Sequence, residues 1–277
     1  MKKLVIFDLD GTLLNTIADL AHSTNYALNK LGYPTHEIEK YNFMVGNGID
    51  KLFERALPEG EKSKENVLRV RKEFVPYYDI HNADDSRPYP GIPELLSYLQ
   101  DAGIQIAVAS NKYQAATQKL IDHYFPEIHF TAVFGQREGI KVKPDPTVVF
   151  DILEVAKVTK EEVLYVGDSG VDMQTAANAR VTVCGVTWGF RPRAELEEFS
   201  PQHIVDVNRE ECTIINNSFL PVDMTVGEDD FVSLDPAQLT LPRKADGSLP
   251  DIDFLKLKRN SKLYDAGIGF QFSAQNL

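Results

Sequence analysis

Asp8 and Asp10 stand two residues apart, directly after the apolar run Leu4-Val5-Ile6-Phe7 and just ahead of Gly11-Thr12. Four apolar residues are too few for a helix and suit a strand buried on both faces, which the Asp-Gly pair would end in a tight turn. Side chains alternate along a strand, so the two aspartates share one side while Leu9 points into the protein. In an open parallel sheet, ligands bind outside the carboxyl ends of the strands, where this pair would sit. Two carboxylates so close are costly unless a cation lies between them or one holds a proton, and both remedies serve catalysis.

Three more stretches follow the same plan. A helix read from Pro93 to Gly103 leads to the run Ile104 to Ala109, which ends in Ser110-Asn111-Lys112. A hydroxyl and an amide at a strand end donate hydrogen bonds to an anionic oxygen, although Ser-Asn is by itself also an ordinary turn. Lys141-Val142-Lys143-Pro144-Asp145-Pro146 is a stiff loop whose Pro146 starts a helix carrying Val149, Ile152, Leu153 and Ala156. One lysine of that loop could neutralise charge shared between a nucleophile and a phosphoryl group. Last, Val163-Leu164-Tyr165-Val166 runs into Gly167-Asp168-Ser169-Gly170-Val171-Asp172. Asp168 and Asp172 are one helical turn apart and can face the same ion.

Taken together, Asp8-Leu9-Asp10-Gly11-Thr12, Ser110-Asn111, Lys143-Pro144 and Gly167 to Asp172 resemble the four ordered motifs of the haloacid-dehalogenase superfamily of phosphohydrolases, over roughly residues 1 to 212. The resemblance implies an α/β fold, a Rossmann-like parallel sheet core with an inserted helical cap. Dehalogenases and phosphonate hydrolases of the superfamily lack the second aspartate, so Asp10 points to an alkoxide leaving group, which needs a proton. Sugar phosphomutases keep both acids but usually carry an aliphatic residue where this chain has Thr12; a β-phosphoglucomutase-like enzyme is the alternative. The loop Asn42-Phe43-Met44-Val45-Gly46-Asn47-Gly48 and the stretch Tyr89-Pro90-Gly91 are similar to those of the phosphoglycolate phosphatase subgroup. That likeness implies a small phosphorylated metabolite, 2-phosphoglycolate first, as substrate.

By the same resemblance Asp8 is the nucleophile, forming an aspartyl-phosphate, Asp10 is the acid and base, and Ser110 and Lys143 complete the catalytic set. Thr12, Ser110, Asn111, Lys143 and Asn47 are expected on the substrate or its phosphate. Magnesium is expected on Asp8, the backbone carbonyl of Asp10 and Asp168, with Asp172 supporting it through water or a neighbouring ligand. Lys143 is also expected to keep Asp8 ionised.

These residues need a frame. With 277 residues there is room for one core plus an insertion, and 43% hydrophobic residues suffice for a packed interior. The core is expected over 1–13 and 88–212, with a helical cap over 14–87. Leu14, Ile17, Leu20, Ala21, Ala27, Leu28 and Leu31 recur at helical spacing up to Gly32, and two further amphipathic stretches follow Gly48 and Lys62. So many helical residues between two strands of one sheet exceed a simple crossover. Tyr77, Tyr78 and Trp188 read as packing residues and Arg191 as a solvated loop residue. Arg180 stands where related chains usually have glycine, at a helix end.

A net charge of −12 and the lack of a basic tract interleaved with aromatics argue against a nucleic-acid partner. Cys184 and Cys212 are too few for a disulfide framework, and the six histidines show no zinc spacing. The apolar run after Met1-Lys2-Lys3 stops at Asp8 without a cleavage site, and no stretch approaches a membrane span. A cytoplasmic monomer or homodimer without a membrane partner is the expectation. Val181 to Val186 and His203 to Val207 read as the last core strands.

Beyond Cys212 the pattern changes to short apolar pairs, Phe231-Val232 and Phe254-Leu255, broken by prolines and glycines. Residues 213–277 resemble the C-terminal part of right-handed β-helix pectate lyases, around Asp230 to Asp235, Arg243 to Pro250 and Asp265-Ala266-Gly267. A β-helix coil buries its apolar face only against neighbouring coils, which this fragment lacks. It reads as a docked appendage, a disordered tail or a junction of unrelated reading frames, the last two preferred. A carbohydrate-binding, lyase-derived interaction protein acting through this tail is the third functional alternative.

Overall fold

Each short apolar run becomes a strand of one parallel sheet. In a computed structural model, which describes residues 2–206, β1 (Leu4–Phe7) is followed by a two-residue strand β2 (Leu14–Asn15) and helices α1 (Ile17–Lys30), α2 (Ile49–Ala56) and α3 (Lys64–His81). The chain then forms β3 (Arg87–Pro88), α4 (Ile92–Asp101), β4 (Gln105–Tyr113), α5 (Gln114–Tyr124), β5 (Ala132–Gln136) and α6 (Thr147–Ala156). It ends in β6 (Val163–Gly167), α7 (Gly170–Ala179), β7 (Thr182–Val186), α8 (Arg193–Glu197) and β8 (His203–Val205). Val207, Cys212 and the tail expected to resemble a lyase fragment lie outside the described residues.

The six-stranded sheet has the order β5-β4-β1-β6-β7-β8, and its pairings are parallel. The chain grows outward from β1 through β4 to β5, then returns to lay β6 on the other side of β1. That reversal opens a crevice at the carboxyl ends of β1, β4 and β6, the place where sheets of this kind bind ligands.

The alternation within β1 explains its all-apolar sequence. Leu4 and Ile6 pack on one face with Val149 and Ile152 of α6 and Met173 and Ala176 of α7. Val5 and Phe7 pack on the other with Ile92, Leu96 and Leu99 of α4 and Leu120 and Ile121 of α5. Both faces are covered, so the strand shows no polar alternation.

Two expectations change here. β4 does not stop at Ala109: it runs on through Ser110, Asn111 and Lys112 to Tyr113, with a break in its register to β5 between Ala109 and Tyr113. Such irregularities bend a strand and re-aim side chains next to sites. Leu14 belongs to β2 rather than to the first helix, which starts at Ile17. β5 itself has too weak an apolar signal, Ala132-Val133-Phe134 before Gly135, to be read from sequence.

The helical insertion leaves and re-enters through paired strands, Leu14 opposite Pro88 and Asn15 opposite Arg87, antiparallel. Asp19, in the first turn of α1, is buried and accepts the amides of Asp85 and Ser86 at 2.9 and 2.8 Å and the Ser86 hydroxyl at 2.6 Å. One carboxylate thus ties the exit to the return. The insertion has its own core, with Leu20, Leu28, Phe53, Val70, Phe74 and Tyr78 among its buried members. Arg180 ends α7 with φ 60°, a left-handed conformation that glycine adopts more readily.

Candidate active site

Asp8 leaves the end of β1 with its Oδ1 held by the Leu9 amide at 2.7 Å and by Lys143 Nζ at 2.9 Å. Lys143 also reaches Asp172 Oδ1 at 2.7 Å, so one ammonium bridges two carboxylates. Lys143 and Asp172 are almost completely buried. Asp168, at the turn from β6 into α7, completes the group: carboxylate oxygens of Asp8, Asp168 and Asp172 all lie within 4.8 Å of one another.

Burial sets the electrostatics. It lifts the Asp8 carboxyl to about 7, against the pull of Lys143 and with the help of Asp172 and Asp10. Asp168 is pushed well above the carboxylate range by burial, then by Asp172 and Asp8. Burial pulls Lys143 down, but Asp172 and Asp8 outweigh it and hold the ammonium well above its ordinary value. Lys143 opposes that rise and favours the ionised form of Asp8. Three buried carboxylates facing one lysine leave negative charge that hard oxygen ligands normally give to a divalent cation, so the donor set fits a metal. Asp172 is the poorest direct ligand of the three. Besides Lys143 it accepts the Tyr165 hydroxyl at 3.2 Å and, on Oδ2, the Ser169 amide at 3.2 Å and hydroxyl at 2.6 Å, closing a capping box on α7.

Asp10 sits beside this cluster. Its Oδ1 accepts the Thr16 hydroxyl at 2.6 Å and forms an ion pair with Lys112 Nζ at 3.1 Å, while Oδ2 has no hydrogen-bond partner among the described residues. Directly after Asp10 the backbone turns tightly. Gly11 has φ +87°, and a Cβ there would stand 2.3 Å from Asp168 Oδ2, so glycine lets Asp168 approach.

Asp8, Asp10, Ser110, Asn111, Lys112 and Asp168 line one cleft, open at its mouth, together with Val45, Gly46, Gly48, Tyr78 and Arg191.

Three residues expected on the substrate turn elsewhere. Thr12 is fully buried, with its hydroxyl on Asp168 Oδ1 at 3.3 Å and its carbonyl accepting the Trp188 indole at 3.0 Å. Asn111 spends its amide on backbone, donating to the Gly46 and Lys143 carbonyls at 2.9 and 3.0 Å and accepting the Lys143 amide at 2.8 Å. It orients the lysine loop and ties it to the helical insertion. Asn47 accepts Arg55 Nη2 at 2.7 Å, and only its flanking glycines reach the cleft. Ser110 is buried in the lining, its hydroxyl accepting the Lys112 amide at 3.2 Å.

The family model of the haloacid dehalogenase-like hydrolases matches residues 5–186, a span that begins in β1 and ends at the last residue of β7. The chain belongs to that family. It is 32% identical over 206 residues to a phosphoglycolate phosphatase of Mesorhizobium japonicum, covering 74% of this chain and 90% of that protein. To a phosphoglycolate phosphatase of Agrobacterium fabrum it is 34% identical over 210 residues, with 74% and 89% covered. Among solved structures, a candidate phosphoglycolate phosphatase from Lactobacillus delbrueckii subsp. bulgaricus superposes with a TM-score of 0.70 at 33% identity, over 75% of this chain and 95% of that one.

In this hydrolase, sequence reading misses two cations of the cleft. Lys112 is buried against Tyr78, whose hydroxyl accepts its Nζ at 2.8 Å. Arg191 is not solvated: its side chain is 9% exposed and its Nη2 donates to the Val45 carbonyl at 2.8 Å. Tyr78, read as packing only, is both core and cleft lining. The available signal for Lys112 was its place directly after Ser110-Asn111, inside a strand rather than after one.

Proposed function

We propose that this hydrolase is a magnesium-dependent phosphatase of a small phosphorylated metabolite, with 2-phosphoglycolate the best candidate. The observation that carries the reading is the Asp8–Lys143–Asp172 bridge with Asp168 at its side, buried at the strand ends where the sheet order reverses. The relatives' activity supports the substrate.

Asp8 Oδ2 has no hydrogen-bond partner among the described residues and is the oxygen left to attack. An Oδ2–phosphorus bond forms as the phosphorus–alkoxide bond breaks, and Asp10, through its own free Oδ2, gives the leaving oxygen its proton. Asp10 then takes a proton from water as that water displaces Asp8 and releases phosphate. Lys143 and Ser110 hold the phosphoryl oxygens, so charge and positioning carry the rate. Magnesium, held by Asp8, the Asp10 carbonyl and Asp168, would supply charge neutralisation between nucleophile and phosphoryl group. Asp172 fixes Lys143 and so supports the site without touching substrate.

Residues 14–87 act as the cap over a core formed by 1–13 and 88–212. The glycines 46 and 48 bring its backbone to the cleft, which excludes water from the aspartyl-phosphate.

Phosphate release from a panel of phosphorylated metabolites tests the reading. Release should require magnesium, stop with chelator, and fall when excess calcium, with its larger and looser oxygen shell, competes. Full turnover in metal-free buffer, or no release from any member, overturns it.

A further inference from the structure

Arg191, which lines the cleft, carries a donor that the chemistry above does not use. Its Nε is taken by Glu195 at 3.2 Å and its Nη2 by the Val45 carbonyl, whereas Nη1 is buried with no hydrogen-bond partner among the described residues. A buried guanidinium N–H left unmade is costly, and a charged one more so.

A second guanidinium stands close by. Arg55 donates to the Met44 carbonyl at 2.8 Å and to Asn47, so the two arginines hold the loop 43–47 between them. Burial, and after it the charge of Arg191, holds Arg55 below its ordinary value, so the two cations repel through the loop. Glu195 answers only one N–H of Arg191, and it also accepts the Gly170 amide at 2.9 Å. Glu54 answers the charge of Arg55, so the unmet group on this side of the cleft is the Nη1 of Arg191.

The position is close to the chemistry. The amide of Phe190, next in the chain to Arg191, donates to Asp168 Oδ2 at 2.7 Å. Gly46, which Arg191 approaches from the same side, accepts the Asn111 amide. Lys112, the other cation lining the cleft, is already spent on Asp10 and Tyr78.

We infer that Arg191 is the specificity-determining residue that receives a second anionic group of the substrate, a carboxylate placed one carbon from the phosphoester oxygen, through its unpaired Nη1. The inference rests on the phosphatase reading and adds to it the residue that selects a phosphorylated small acid over a neutral ester. An arginine fork suits a planar carboxylate. Because the same side chain holds the Val45 carbonyl, filling Nη1 also fixes the loop that covers the site.

The test compares 2-phosphoglycolate with 2-hydroxyethyl phosphate, an ester of equal length without the carboxylate, on the full chain with magnesium. Wild type should prefer 2-phosphoglycolate in kcat/KM by about tenfold or more, the order expected when a donor built for an anion is left unpaired. Arg191→Gln should lose about tenfold or more of that preference, chiefly through KM, and Arg191→Lys, which keeps the charge, should retain part of it. Equal losses on both esters would overturn the inference and make Arg191 a support of the Asp168 turn. So would a wild type that does not discriminate, a result that needs no variant to fold. Absence of phosphate release from both esters with wild type would instead bring down 2-phosphoglycolate as the substrate, and this inference with it.

Discussion

Lys112 Nζ lies 3.1 Å from Asp10 Oδ1, and the same nitrogen lies 2.8 Å from the Tyr78 hydroxyl on α3. A residue of the sheet therefore links to the helical insertion the carboxylate proposed to transfer the proton. With Thr16 on the same oxygen, the contact fixes the Asp10 carboxylate and leaves Oδ2 to face the leaving group. A hydrogen bond to a charged group contributes about 1.5–3 kcal/mol, and each 1.36 kcal/mol is tenfold in rate. Lys112→Met should therefore lower kcat by about one to two orders of magnitude, with Tyr78→Phe milder. Saturating kinetics on a phosphate ester, alongside melting curves, would check this; an unchanged kcat in folded Lys112→Met protein would leave Thr16 as the sole anchor of Asp10.

The strand ends were legible because their signal is local. Leu4 to Phe7 and Val163 to Val166 are buried on both faces, so four apolar residues in a row mark each strand, and the polar residue after them marks the crevice. What a polar side chain then touches is not local. Asn111 and Thr12 are drawn to backbone and carboxylate groups supplied by the lysine loop and the Asp168 turn, which arrive only with the fold. Lys112 and Arg191 look like solvated surface cations until α3 and the loop around Val45 cover them.

Asp8→Asn should abolish turnover in a chain that still folds, since the amide cannot become an acyl phosphate. Asp10→Asn should slow turnover by about two to four orders of magnitude, the usual contribution of a positioned acid and base. Phosphate release with a leaving group of low pKa, which needs no proton, should recover much of the Asp10→Asn loss and none of the Asp8→Asn loss. Equal losses of Asp10→Asn on good and poor leaving groups would remove the proton from its role.

The raised Asp8 carboxyl makes stability depend on pH in a defined direction. Its folded value of about 7 exceeds its ordinary 3.8, so through that window the folded state holds a proton that the unfolded chain has released. The contribution of Asp8 to stability therefore falls as pH rises from about 4 to 7. Asp168, also raised, acts with the same sign. In chelator, Asp8→Asn should melt above wild type at pH 8 and lose that advantage at pH 5, where Asp8 is already neutral. A variant that melts below wild type at pH 8 would show that the attraction of Lys143 outweighs the cost of burying the charge.

The last prediction concerns where the enzyme ends. All four catalytic motifs lie between Asp8 and Asp172, the family match ends at residue 186, and the outermost strand of the sheet, β8, closes at Val205. The sequence after Cys212 is broken by Pro221, Gly227, Pro236, Pro242, Gly247 and Pro250. A chain ending at Cys212 should therefore keep the kcat and KM of the full chain and most of its melting temperature. Aggregation or lost activity of that shorter chain would mean that the tail contributes to the folded enzyme, and Phe231-Val232 and Phe254-Leu255 would be the apolar pairs to replace next.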